Sequence, residues 1–183
     1  MKKYNIIYAD PPWNYHNTKN LDGEFWGIAE RHYPTMNLKE IKQLSVNCIS
    51  DVDCYLFLWV TAPFMEKSFD IINSWGFSYS TIAFVWVKMK NDMSKVRRDG
   101  LGKYTISNAE YCLISKCGKY WRKAKNVHQI IQTPRLGHSK KPDIVRDKIV
   151  DLCGDLPRIE LFAREKHEGW DVWGNEVESD VEL

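Results

Sequence analysis

The sequence predicts an α/β fold, an open and mostly parallel sheet flanked by helices, on three observations. Tyr4–Ala9 and Cys54–Val60 (CYLFLWV) are almost continuous apolar runs, the pattern of strands buried on both faces in parallel sheets. Strand-like and helix-like segments alternate along the chain, as βα units require. With 183 residues, 44% hydrophobic and 27% charged, the chain can bury one sizeable core but not two comfortable ones. Residues 1–177 are therefore read as one domain, and residues 178–183, in the acidic ending EVESDVEL, as a tail expected to fray.

The elements follow in order. Tyr4–Ala9 is a strand that stops at Asp10, where two prolines fix φ twice and remove two amide donors, so the chain must leave the sheet as a rigid loop. Leu38–Leu44 suits a short amphipathic helix capped by Thr35 or Asn37. After the strand Cys54–Val60, Pro63 opens a helix that runs to about Trp75 and is stopped by Gly76. Strands are expected at Phe77–Val87, Ala109–Ser115 and Val127–Gln132. The segment KPDIVRDKIVDLCG gives a helix from Pro142 to Gly154, with Ile144, Val145, Ile149 and Leu152 close to one face. RIELFA (158–163) and WDVWG (170–174) close the chain as strands. In such a sheet ligands gather outside the carboxyl ends of the strands, which places the DPPW loop, Arg164 and the start of the Pro142 helix together.

Bulk properties narrow the function without naming it. A net charge of +2 is too small to mark a nucleic-acid partner, so any basic footprint has to come from local clustering. Eight Trp and nine Tyr are many for this length and suggest faces that stack. The five cysteines form no CxxC pair and no zinc-type spacing with His16, His32 or His138; reduced structural thiols in a cytoplasmic protein, and no metal, are expected. The N-terminal apolar run is too short for a signal peptide, and no segment is long enough to span a bilayer.

In YADPPW, Asp10 offers a carboxylate, Pro11 a carbonyl held at a fixed angle, and Trp13 a flat indole face. These suit a planar ring with an exocyclic amino group: the NH2 donates to both oxygens while the ring stacks on the indole. The amino group of adenine is such a group. Its lone pair is delocalised into the ring, and two acceptors that favour tetrahedral nitrogen and stabilise the positive charge of attack lower the barrier. The ordinary reading of Asp-Pro-Pro is a helix cap and a tight turn; DPPW directly after an apolar strand favours the site.

YADPPW, FLWVTAPFM, WGF followed by FVWVK, HSKKPD, IELFARE and VWGNE, in that order, resemble the DPPW-containing adenine-N6 methyltransferases of the MT-A70 family over residues 4 to 177. The resemblance implies a Rossmann-like class I methyltransferase fold in the permuted β-type order, with the catalytic loop ahead of the cofactor segment. It implies S-adenosylmethionine as cofactor and a cytoplasmic setting in a bacterial or phage-infected cell. By the same resemblance Asp10, Pro11, Pro12 and Trp13 form the catalytic loop, and Lys141 contacts the cofactor's carboxylate. Phe162 and Arg164 are further cofactor contacts, Asn175 and Glu176 are the ribose pair, and Tyr33 lies near the target base. Two departures stand out: only nine residues precede Asp10, so a segment that contacts the cofactor's adenine in some longer relatives is expected to be missing or supplied otherwise, and no GxGxxG loop follows RIELFA.

Two basic stretches, residues 88–103 and 116–125, remain. Such runs are usually solvated loops; beside a base-handling site they suit phosphate contact, with Lys88, Arg97, Arg98, Arg122 and Lys123, together with His32 and Tyr33, expected on the substrate. Glu110 either pairs with Lys141 across neighbouring strand ends or is an exposed charge. Trp59, Trp75 and Trp86 are expected in the core. DNA is the favoured nucleic acid, because the chain carries none of the zinc fingers or long extensions of the eukaryotic messenger-RNA enzyme. RNA methylation, or a non-catalytic nucleic-acid-binding partner of a related enzyme, is the alternative, and a homodimer or a related partner subunit is left open. A duplex target has to be flipped out of its stack, at a few kcal/mol.

Overall fold

Residues 2–13, 36–98, 104–119, 121–135 and 140–183 are described by the computed structural model, and the structural statements below concern them. β1 (Tyr4–Ala9) lies between two parallel neighbours, β2 (Ser50–Val60) and β6 (Arg158–Leu161), and the alternation of its side chains builds two core layers. Ile7, Ala9, Leu56, Leu58 and Val60 face one side, where α1 (Leu38–Gln43) and α3 (Met65–Ser74) contribute Ile41, Ile71 and Ile72. Ile6, Tyr8, Tyr55, Phe57 and Trp59 face the other, where α4 (Ile144–Cys153) contributes Val145, Ile149 and Cys153. Burial on both faces explains the unbroken apolar runs of β1 and β2, each large side chain contributing roughly 1.5–3 kcal/mol.

The sheet order is β5-β3-β4-β2-β1-β6-β7, with β3 at Ser78–Met89, β4 at Ala109–Cys117, β5 at Ile130–Pro134 and β7 at Asp171–Trp173. β4 runs antiparallel to both β2 and β3, while the other pairs are parallel. The mostly parallel α/β sheet is therefore as predicted, and the single reversed strand has a consequence for the site. It starts at the end of the sheet where β1, β2, β3, β6 and β7 finish, so Glu110 joins their carboxyl ends.

Several boundaries differ from expectation. β2 begins at Ser50, after a four-residue helix α2 (Val46–Ile49) that has no sequence signature of its own. Pro63 sits in a 3-10 turn, Ala62–Phe64, and α3 proper begins at Met65. β5 lies at Ile130–Pro134, shifted from 127–132. On α4, Ile144 is 46% exposed and the buried stripe is Val145, Ile149 and Cys153, because Arg146 turns inward to meet Glu160. Asn37 caps α1 with a full capping box, its side chain accepting from Glu40 N–H while the Glu40 carboxylate accepts from Asn37 N–H. Trp59, Trp75 and Trp86 are core residues, as expected.

The acidic tail is a correction. Asp180 pairs with the edge of β7, its N–H donating to Val172 O and its carboxylate accepting from Val172 N–H, both at 2.8 Å. Val181 and Leu183 pack against the core, so apolar residues between the charges dock the segment.

Candidate active site

Because β1, β6 and β7 are adjacent and parallel, the residues that follow them emerge side by side: Asp10, Pro11 and Pro12 after β1, Phe162–Arg164 after β6, and Gly174–Glu176 after β7. With Met36 and Trp173 they line one cleft of about 680 Å³, its open mouth included. Phe162 has φ +62°, the left-handed region that a bulky side chain adopts only under constraint. The kink turns the chain so that Ala163 N–H donates to Trp173 O at 3.0 Å, and Phe162 meets Trp173 edge-on with ring centroids 5.3 Å apart. Gly174 completes this wall, since a Cβ there would run into the Ala163 backbone.

Within the DPPW loop, Trp13 N–H donates to Pro11 O at 2.9 Å and Met36 N–H to Pro12 O at 3.1 Å. A carbonyl has two lone pairs, so Pro11 O keeps capacity for another donor. Trp13 departs from expectation. Its indole is 6% exposed, stacks on Phe64 at 5.1 Å and donates Nε1–H to Trp59 O at 3.3 Å. It anchors the loop to the core instead of presenting an open face to a base.

Asp10 Oδ2 accepts from Lys141 Nζ at 2.7 Å, and Lys141 also lies 3.2 Å from Glu110 Oε2. Glu110 Oε1 in turn meets Lys88 Nζ at 2.5 Å. Burial pushes the Asp10 carboxyl up and Lys141 only partly offsets it, with Glu110 and Glu160 adding like charge. For Glu110, burial also pushes upward, but Lys141 and Lys88 outweigh it and hold the carboxyl low. Lys141 loses solvation, yet the two carboxylates more than compensate and raise its pKa. Behind Asp10, Trp59 Nε1 donates to the Tyr8 hydroxyl at 2.6 Å, and Arg146 makes a two-pronged pair with Glu160 at 2.7 and 2.9 Å.

The expected site residues thus divide. Asp10, Pro11, Pro12, Phe162, Arg164, Asn175 and Glu176 share the cleft, Arg164 and Glu176 pairing at 2.9 Å at its mouth. Lys141 is engaged with Asp10 and Glu110, its side chain only 8% exposed. Lys88 is likewise committed to Glu110. Arg97 and Arg98 lie in a separate surface depression with Lys90, Asn91 and Asp92. Arg122 and Lys123 are placed elsewhere altogether: β4 carries the chain away from the site, and the segment after it is pinned at the far end. Tyr55 and Trp121 exchange hydrogen bonds there, and Trp121 Nε1 donates to Cys153 O and Lys123 N–H to Leu152 O. The seven-residue step from Glu110 to Cys117 alone spans roughly 24 Å. Tyr33 and His32 lie outside the described residues. Sequence reasoning missed Met36, Trp173 and Glu160 as parts of the site; a carboxylate inside the apolar run RIELFA was the signal for Glu160, since buried charge demands a partner.

The MT-A70 family model matches residues 4–176. The chain belongs to the MT-A70 family. This MT-A70 chain is 42% identical to Type II methyltransferase M.MunI of Mycoplasma sp. over 191 residues, covering 96% of the chain and 78% of that protein. It is 29% identical to the N(6)-adenosine-methyltransferase catalytic subunit METTL3 of Homo sapiens over 181 residues, 96% of the chain but 28% of the human protein. Against an MT-A70-like N(6)-adenosine-methyltransferase of Drosophila melanogaster the identity is also 29%, over 27% of that protein. The MT-A70 chain is thus a methyltransferase, with the α/β sheet expected of a Rossmann-like fold.

Proposed function

We propose that the chain transfers a methyl group from S-adenosylmethionine to the exocyclic nitrogen of adenine in nucleic acid, with DNA as the substrate, in a cytoplasmic setting. The observation that carries the reading is the shared cleft, which Asp10 and Pro11 line together with the segments after β6 and β7. The residues fit the cofactor's chemistry: Asn175 and Glu176 offer an amide and a carboxylate to ribose hydroxyls, Phe162 and Trp173 an aromatic wall, and Arg164 a charge. When bound, S-adenosylmethionine supplies an electrophilic methyl group. Asp10 accepts a hydrogen bond from the adenine NH2 and stabilises the positive charge that develops on it; Pro11 O is the second acceptor. Lys141 favours the ionised form of Asp10 against its burial. Trp13 fixes the loop on Phe64 and Trp59, which holds the two oxygens in place. After transfer the surplus proton leaves to Asp10 or to water.

DNA is favoured by the 78% coverage of a type II methyltransferase; RNA is the second reading, carried by the N(6)-adenosine relatives of which the chain spans under a third. The test is expression in a host whose own adenine methyltransferases are deleted, followed by mapping of methylated adenines in its DNA. N6-methyladenine at a recurring sequence is expected. Methyl groups confined to RNA would overturn the DNA assignment, and their absence from both nucleic acids would overturn the activity.

A further inference from the structure

We propose that Lys88 is a positioning residue that couples the basic loop after β3 to the catalytic carboxylate, instead of the phosphate contact its sequence suggests; the inference rests on the adenine-methyltransferase reading of the same site. Lys88 stands at the carboxyl end of β3, and its ammonium, 19% exposed, is held by Glu110 Oε1 at 2.5 Å above the Trp86 ring. The other oxygen of Glu110 reaches Lys141, which holds Asp10, so four charges form one chain: Lys88, Glu110, Lys141, Asp10.

The backbone of the same residue anchors the loop. Lys88 N–H donates to Asn108 O at 2.9 Å, its carbonyl accepts from Arg97 N–H at 2.8 Å, and Asn108 Nδ2 donates to Arg97 O at 3.3 Å. The loop that carries Arg97 and Arg98 therefore folds back onto the residue that ends the charge chain. An ammonium transferred to a phosphate would leave Glu110 with Lys141 alone, and Lys141 would then be drawn from Asp10.

Charge counting gives the direction of the effect. Asp10 is faced by Lys141 from the segment before α4, by Glu110 and Cys112 from β4, and by Glu160 from β6; Glu110 is faced by Lys141 and Lys88. Neutralising Lys88 leaves the cluster one unit more negative, so Asp10 takes up its proton at higher pH.

The experiment compares wild type, Lys88→Met and Lys88→Arg, with S-adenosylmethionine and an adenine-containing DNA duplex. For Lys88→Met a fall in kcat of about tenfold is expected, with KM for DNA and its salt slope unchanged and the acid limb of kcat moved up by about half a pH unit. Lys88→Arg should recover the pH profile. A raised KM with a salt slope lower by about one and kcat intact would make Lys88 a phosphate contact and overturn the proposal. So would a loss of activity that tracks a lower Tm, with no shift of the acid limb and no recovery by Arg. If wild type methylates no adenine, the activity reading fails separately, and NMR titration of the Asp10 carboxyl still decides the coupling: an upward shift in Lys88→Met supports it, and an unmoved titration overturns it.

Discussion

Asp10 carries its charge in a place that works against it. Burial raises its pKa while Lys141 favours the ionised form, so the charge is carried at some cost to the fold. The sign follows from linkage: a carboxyl whose folded pKa lies above its unfolded value disfavours the native state once pH rises through the unfolded pKa. Asp10→Asn should therefore raise Tm at pH 7 in a thermal melt while lowering kcat about 10²–10³-fold, the loss seen when one polar stabiliser of transition-state charge is removed. Loss of both stability and activity would show that Asp10 acts chiefly as Lys141's structural partner. The place of Asp10 at the end of a strand, in a rigid loop, was legible in the sequence, because the DPPW run directly follows an apolar strand. The role of Trp13 was not: an indole stacks equally well on a substrate or on Phe64, and only the fold brings Phe64 within 5.1 Å.

At the scale of elements, two loops that look alike in charge separate by topology. Of the described residues, those after Met89 up to 98 leave β3 at the site end, whereas 118–119 and 121–125 follow β4 at the opposite end. Alanine at Arg97 or Arg98 should raise KM for nucleic acid severalfold and cut the salt slope of binding by about one each. Alanine at Arg122 or Lys123 should leave both unchanged. Steady-state kinetics at several salt concentrations would check this, and equal effects from both loops would contradict it. The sequence could not make this distinction because an apolar run such as YCLIS does not reveal its own direction; β4 reads like its neighbours although it runs the other way. The cleft wall after β7 makes a second element-scale prediction. Gly174→Ala places a methyl group against Ala163, so the segments after β6 and β7 must move apart; S-adenosylmethionine binding, measured by calorimetry, should weaken at least tenfold, with a stability loss of about 1–3 kcal/mol. Unchanged affinity would mean that the wall does not contact the cofactor.

For the whole molecule, the order of the strands makes the site. Placing β1 between β2 and β6, with β7 beyond, brings sequence positions 10, 162–164 and 174–176 to one cleft, and the reversed β4 returns Glu110 to the same end. The strand and helix periodicities that predicted the α/β class are local, which is why the elements were readable, while the fold decided between the two readings of Glu110 in favour of pairing with Lys141 and added Lys88 as its second partner. The central claim is that this cleft methylates adenine through Asp10. The most direct measurement incubates wild type and Asp10→Asn with labelled S-adenosylmethionine and an adenine-containing DNA duplex, then separates the nucleosides after complete digestion. Label in N6-methyladenine with wild type and its near loss with Asp10→Asn is the predicted result; label in another nucleoside, or undiminished label with Asp10→Asn, would contradict the account.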